Sequence, residues 1–190
     1  MTKTLAILAV AGLASTVLAQ GNPLEKDYSI THVPPLVLPS VGVASSVIIV
    51  NDTGLIASMD YVFIDIDHTW SNDVVITLTH GNNVVNLLNR PPSGGDNLGG
   101  IYTFVDGGAA WPGDGAGDLV PPGTYRAVDL LSAFAGKPKQ GDWILSYTDT
   151  IAGDGGQLRG WGFGVTNVPT PGAFALLGLG GLAAARRRRA

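Results

Sequence analysis

The sequence predicts an all-β fold, a jelly-roll-like β-sandwich, with an N-terminal signal helix and a C-terminal hydrophobic helix outside the domain. Three observations carry this. Segments of alternating apolar and polar residues recur through the middle of the chain, as half-buried strands require. Clusters of Gly, Asn and Asp separate them, in a chain with 27 glycines. Helical patterns are confined to the two ends, apart from residues 127–134, which suit one short turn of helix.

The elements follow in chain order. Lys3 precedes an apolar run at residues 5–19, and Val17-Leu18-Ala19 suits cleavage after Ala19 by a signal peptidase. The run is too short for a comfortable membrane span, so residues 1–19 read as a signal peptide. Residues 20–44 are Pro-rich and weakly patterned, a lead-in with one early strand at most. The sandwich is expected over 45–167. Its first strand, 46–50, stops at the turn cluster Asn51-Asp52-Thr53-Gly54. In 59–67, Val62, Ile64 and Ile66 share one face, and Tyr61, Phe63, Asp65 and Asp67 the other.

Residues 73–79 turn Val74, Ile76 and Leu78 inward, and 84–88 follow across a turn at 80–83 to make a hairpin. Residues 101–105 form a further strand. Residues 142–149 place Trp143, Leu145 and Tyr147 on one side. Residues 157–165 place Trp161, Phe163 and Val165 on one side and Gly160, Gly162 and Gly164 on the other, which leaves room for a close neighbour.

At the C-terminus, Pro169-Thr170-Pro171 isolates a tail: an apolar stretch at 173–185, then Arg186 to Arg189. The arginines would stay cytoplasmic while 173–185 enters the bilayer transiently. The order of motif, membrane segment and basic stop resembles the PEP-CTERM sorting signal of Gram-negative bacteria, with Thr170 in place of the central Glu. The resemblance implies processing near Pro169 and Pro171 by an exosortase-like enzyme. It also implies an address at the cell envelope, on the outer surface or outside the cell. Residues 168–190 are assigned to it.

Charge narrows the function. Five of the eleven basic residues are terminal, so residues 20–185 hold six basic against fifteen acidic side chains. Such a surface argues against nucleic acid, whose phosphates need Lys and Arg. The absence of cysteine excludes disulfides and thiolate metal sites.

Four landmarks stand in order along the middle: Ile64-Asp-Ile-Asp-His68-Thr69 with Asp73-Val-Val-Ile-Thr-Leu78; Ile101-Tyr-Thr-Phe-Val-Asp106; Leu131-Ser-Ala-Phe-Ala-Gly136; and Gly141-Asp-Trp143 running to Gly153-Asp154-Gly-Gly-Gln-Leu158-Arg-Gly-Trp161. Residues 45–166 resemble the P domain, also called P/Homo B. That module follows the catalytic domain of subtilisin-like proprotein convertases and kexins, and is appended to many secreted bacterial proteases. Val74 replaces the usual Leu, and Val105-Asp106 replaces Asp-Asp. The resemblance implies a jelly-roll sandwich that supports a neighbouring protein.

No catalytic apparatus is legible. The histidines are His32, His68 and His80. His32 lies in the lead-in, His80 at a hairpin tip, and His68 reads as a hydrogen-bonded structural residue. There is no Gly-x-Ser-x-Gly elbow and no His-Glu-x-x-His motif. The chain is therefore expected not to be an enzyme, although serine-type endopeptidase is the activity of the family it resembles. The family resemblance and the acidic excess nominate Asp73, Asp106 and Asp154 for a structural calcium, while Asp-Gly turns explain the same residues without one. Trp111, in a predicted loop, is the candidate contact for a ligand, whereas Trp143 and Trp161 read as core. The leading expectation is an exported accessory module that binds or stabilises a protein partner. The alternatives are a component of a secreted subtilisin/kexin-like protease system and a carbohydrate-binding envelope protein.

Overall fold

The computed structural model describes residues 24–91, 96–112 and 118–169. The signal peptide, Ala19, Pro171 and the apolar tail lie outside the described residues. Pro169 is the last described residue and is half-buried.

Nine strands and two 3-10 turns make up the described chain: β1 (Glu25–Leu38), β2 (Gly42–Val50), β3 (Ile56–His68), the turn Ser71–Asp73, β4 (Val74–His80), β5 (Asn83–Asn89), β6 (Leu98–Val105), β7 (Gly123–Arg126), the turn Leu131–Phe134, β8 (Gly141–Asp149) and β9 (Gly156–Asn167). No α-helix occurs among the described residues. One sheet has the order β1-β9-β3-β6-β7 and the other β2-β8-β4-β5. The pairs β1–β9, β2–β8, β3–β6 and β4–β5 are all antiparallel and nest like a hairpin rolled along its length. That nesting, alternating between two sheets, is a jelly roll. β7 adds a parallel edge to β6.

Residues 25–44 belong to the sandwich, which corrects the reading of 20–44 as a lead-in. β1 pairs with β9 from Glu25↔Thr166 to Leu38↔Gly156, and the register shifts between Thr31 and Leu36. Pro34 and Pro35 fall in that break, so the alternation fails in the sequence although the strand continues in space. β2 likewise begins at Gly42, before the predicted start. The predicted turn of helix is the 3-10 turn Leu131–Phe134, which buries Leu131 and Phe134.

The core fills between the sheets with the residues that the alternation turns inward. Trp143, Trp161, Tyr102, Phe104, Phe134 and Phe163 are fully buried. Trp143 packs on Phe163 at 4.4 Å and Phe134 at 5.0 Å between ring centroids, tying β8 to β9 and the second turn. The glycines of β9 serve the opposite face. A Cβ on Gly162 would lie 2.5 Å from Tyr28 O and 2.7 Å from the Phe63 ring, and one on Gly164 would strike Tyr61.

Candidate functional site

The polar residues singled out by sequence gather at one end of the sandwich. His68 ends the inward row of β3, where Tyr147 and Asp149 end that of β8. His68 Nδ1 lies 3.1 Å from both the N–H and the carbonyl of Trp70, accepting from the first or, when protonated, donating to the second. Nε2 lies 2.6 Å from the Tyr147 hydroxyl and 3.2 Å from Asp149 Oδ2. The hydroxyl donates to the same carboxylate at 3.1 Å, and the other carboxylate oxygen accepts the Ile151 N–H at 2.9 Å. His68 and Asp149 are each 2% exposed. Burial, then the Asp149 charge, push the Tyr147 phenol well above its usual range.

This His–Asp pair has the acid of a hydrolase but not its nucleophile: the second ring nitrogen meets the Trp70 backbone, where a triad needs a hydroxyl. The cluster joins the two sheets by hydrogen bonds. Asp73, 3% exposed, stands beside it. Burial, then the charges of Asp149 and Asp154, raise its carboxyl above the ordinary range. Asp154 accepts the Thr69 hydroxyl at 2.8 Å.

The three calcium candidates do not form one site. Asp73 and Asp154 share this end of the molecule. Asp106 instead caps the second 3-10 turn, accepting the N–H groups of Leu131 at 2.5 Å and Ser132 at 3.1 Å. Among the described residues no group of three or more His, Cys, Asp or Glu side chains is placed to hold a metal. Calcium seeks six to eight oxygens, and these residues do not fit it.

The other histidines are also committed. His32 Nε2 lies 3.0 Å from Ser46 Oγ, which also accepts the Trp161 indole N–H at 2.7 Å. The space beside Ser46 is about 10 Å³, room for at most one water. Burial lowers the His32 pKa, favouring the neutral ring. Nothing in the sequence pairs residues 32 and 46, because β1 and β2 meet only across the sandwich. His80 does stand at the hairpin tip, opposite Asn83, but it is buried there: it is 7% exposed, stacks on Trp143 at 3.9 Å and 1°, and faces the carbonyls of Asp142 at 2.9 Å and Pro138 at 2.7 Å. Each carbonyl can only accept, so both contacts are hydrogen bonds only when both ring nitrogens carry a proton.

Trp111, the candidate ligand contact, is half-buried rather than a fully exposed platform. It packs against the core beside Tyr125 at 4.9 Å, Tyr102 at 5.7 Å and Phe104 at 6.2 Å. The loop signal was right about its backbone. The aromatic wall that captures it comes from β6 and β7, invisible in a local window.

The outer face of the five-stranded sheet holds a polar network that sequence reasoning missed. Arg159 on β9 pairs with Asp65 at 2.5 Å and with Asp67, which also accepts from Gln157 at 2.9 Å. Burial works to raise the Asp67 carboxyl, but these hydrogen bonds and the guanidinium charge prevail and lower it. A two-residue periodicity in 59–67 places both aspartates outward; their cation lies in a strand about ninety residues away, at |i−j| of 94 and 92.

The fold and these clusters define a β-sandwich domain whose buried polar side chains hold the sheets together. No protein-family model matches the chain, and no curated protein matches it. Among solved structures it is similar to one chain of the crystal structure of Aeromonas sobria serine protease and its chaperone ORF2. The TM-score is 0.50 and the identity 16%, over 85% of this chain and 28% of that one. At that identity the likeness is one of fold. This chain spans little more than a quarter of the length of the chain it matches.

Proposed function

We propose that this chain is an exported, non-catalytic, P-domain-like accessory module. It binds or stabilises a protein partner at the cell envelope or outside the cell, in association with a serine-type protease system. The observation that carries the reading is the commitment of all three histidines. His32 is bound to Ser46, His68 to Tyr147, Asp149 and Trp70, and His80 to two carbonyls. None faces a hydroxyl across open space, as general-base chemistry needs. The fold shared with a chain of a serine protease–chaperone complex supports the association with proteolysis. So does the order of motifs from His68-Thr69 to Trp161. Residues 1–19 are the export signal and 168–190 the sorting signal cut near Pro169 and Pro171.

The test is a pull-down from the native envelope using the tagged chain, coupled to a peptidase assay. The expected result is one specific protein partner and no inhibitor-sensitive turnover by the chain alone. Inhibitor-sensitive turnover that is lost in His68→Ala or His32→Ala would overturn the non-catalytic reading. Mass spectrometry of the mature protein tests the address. Loss of residues 1–19 and of the arginine tail is expected, and a C-terminus still carrying Arg189 would refute the processing.

A further inference from the structure

His80 ends β4, at the tip of its hairpin with β5. Its Nδ1 lies 2.9 Å from the Asp142 carbonyl at the start of β8. Its Nε2 lies 2.7 Å from the Pro138 carbonyl, in the segment that leads into β8. One face of the ring rests on the Trp143 indole, with 3.9 Å between centroids and 1° between planes. A neutral imidazole has one N–H and one lone pair, so one of these carbonyls would face a lone pair at hydrogen-bond distance. An imidazolium has two N–H groups and serves both. Burial works against the charge, the residue being 7% exposed. Two charge-assisted hydrogen bonds and the aromatic face beneath the cation work for it.

The charged side chains on the elements around the ring are few. β4 has no other titratable residue, and β5 has none. The segment before β8 contributes Lys137 and Lys139, and β8 contributes Asp142. Lys139 is buried, with its Nζ 4.0 Å from the Asp52 carboxylate. Lys137 and Asp142 line the groove beside His80, the first opposing a further positive charge and the second favouring it. These charges balance, which leaves the decision to the two carbonyls and the indole. The far side of the contact is fixed to the fold. The Lys139 N–H donates to Gly54 O at 3.0 Å, the Ile56 N–H to Lys137 O at 2.9 Å, and the Trp143 indole N–H to Lys139 O at 2.9 Å.

We propose that His80 is an imidazolium in the folded protein at neutral pH and acts as a pH-sensitive clasp between the β4–β5 hairpin and residues 137–142, closed in acid and released as pH rises. Loss of either ring proton replaces one hydrogen bond with a lone pair facing a carbonyl, and the hairpin tip parts from the segment. The folded chain holds a proton that the unfolded chain releases, so the contribution to stability is full in acid and is lost as pH rises. The clasp does not depend on the accessory function proposed above.

Thermal melts of the full-length chain and of its His80→Gln variant, between about pH 5 and pH 9, bracket the ordinary imidazole range. Gln keeps an N–H donor and cannot titrate. The unaltered chain is expected to melt above the variant in acid and to lose most of that margin at the alkaline end. Comparing the two chains cancels Asp73, which titrates in both. A margin that is constant, or that grows with pH, would overturn the clasp. Ring-nitrogen NMR of the unaltered chain needs no variant to fold. At about pH 7 His80 is expected to show two protonated ring nitrogens, where His32, whose burial favours the neutral ring, shows one. A bare ring nitrogen on His80 would overturn the proposal. Hydrogen exchange reads the release: protection of the Lys139 amide, corrected for the intrinsic rate, is expected to fall at the alkaline end. Unchanged protection would leave a charged ring that clasps nothing, and would overturn the device.

Discussion

Asp73 is the residue whose surroundings work against its charge. Its carboxyl is raised by burial, then by Asp149 and Asp154. A raised acid binds its proton in the folded state at pH values where the unfolded chain has lost it. Its effect is therefore neutral below the ordinary carboxylate range and increasingly destabilising as pH rises through the window above it. Asp73→Asn is expected to raise the melting temperature at neutral pH. That gain should vanish in acid, as a pair of thermal melts at the two pH values would reveal. Tyr147 has the opposite character, because its hydroxyl bridges His68 and Asp149 inside the fold. Tyr147→Phe leaves both without that partner and is expected to cost about 1–3 kcal/mol in denaturant unfolding. The sequence marked His68 as hydrogen-bonded, and it is. It gave no sign of the partners, since Tyr147 lies 79 positions away. Asp106 shows the reverse error. Its type and the family resemblance pointed to a cation, but its carboxylate meets two backbone N–H groups left open at the start of a short turn. Because the three nominated aspartates do not converge, excess chelator is expected to leave the melting temperature unchanged; a clear drop would reinstate calcium.

Among the elements, β9 holds the design together, lying between β1 and β3 with a side chain on the core face alternating with glycine. The core face carries Trp161, Phe163 and Val165, all fully buried. On the other face the glycines let the Tyr61 and Phe63 rings lie across the strand. Gly162→Ala is therefore expected to destabilise by about 1–3 kcal/mol, because the added methyl meets both the Tyr28 carbonyl and the Phe63 ring. Gly162→Ala combined with Phe63→Ala should recover only part of that loss, since the carbonyl contact is backbone and cannot yield. A double-mutant cycle by urea titration measures the split. The strands of 59–67, 73–79 and 142–149 were legible because one face of each is buried and the other is less so, which writes a period of two into the sequence; 157–165 is buried on both faces and was legible because large core side chains alternate with glycine. β1 was not, because its register break puts two prolines where alternation would continue. β7, four residues long and paired in parallel, is too short to show a period.

At the scale of the whole molecule, the sandwich is built so that polar chemistry lies inside as struts and the surface carries the net acidic charge. Each of the three histidine clusters ties separate strands: His32 joins β1 to β2, His68 joins β3 to β8, and His80 holds β4 against the start of β8. The sequence by itself determined the class of fold. Alternation and turn chemistry are local consequences of burying one face of a strand, and they survive without knowledge of what that face meets. It also determined the acidic balance. The tertiary structure alone decided which residues meet: that His32 finds Ser46, that Asp106 is separated from Asp73 and Asp154, that Trp111 turns in, and that His80 meets two carbonyls. Those outcomes depend on how the hairpin rolls and on which strands lie side by side. Strand order is a property of long-range pairing, in which partners as far apart as Leu24 and Asn167, at |i−j| of 143, are brought within a hydrogen bond.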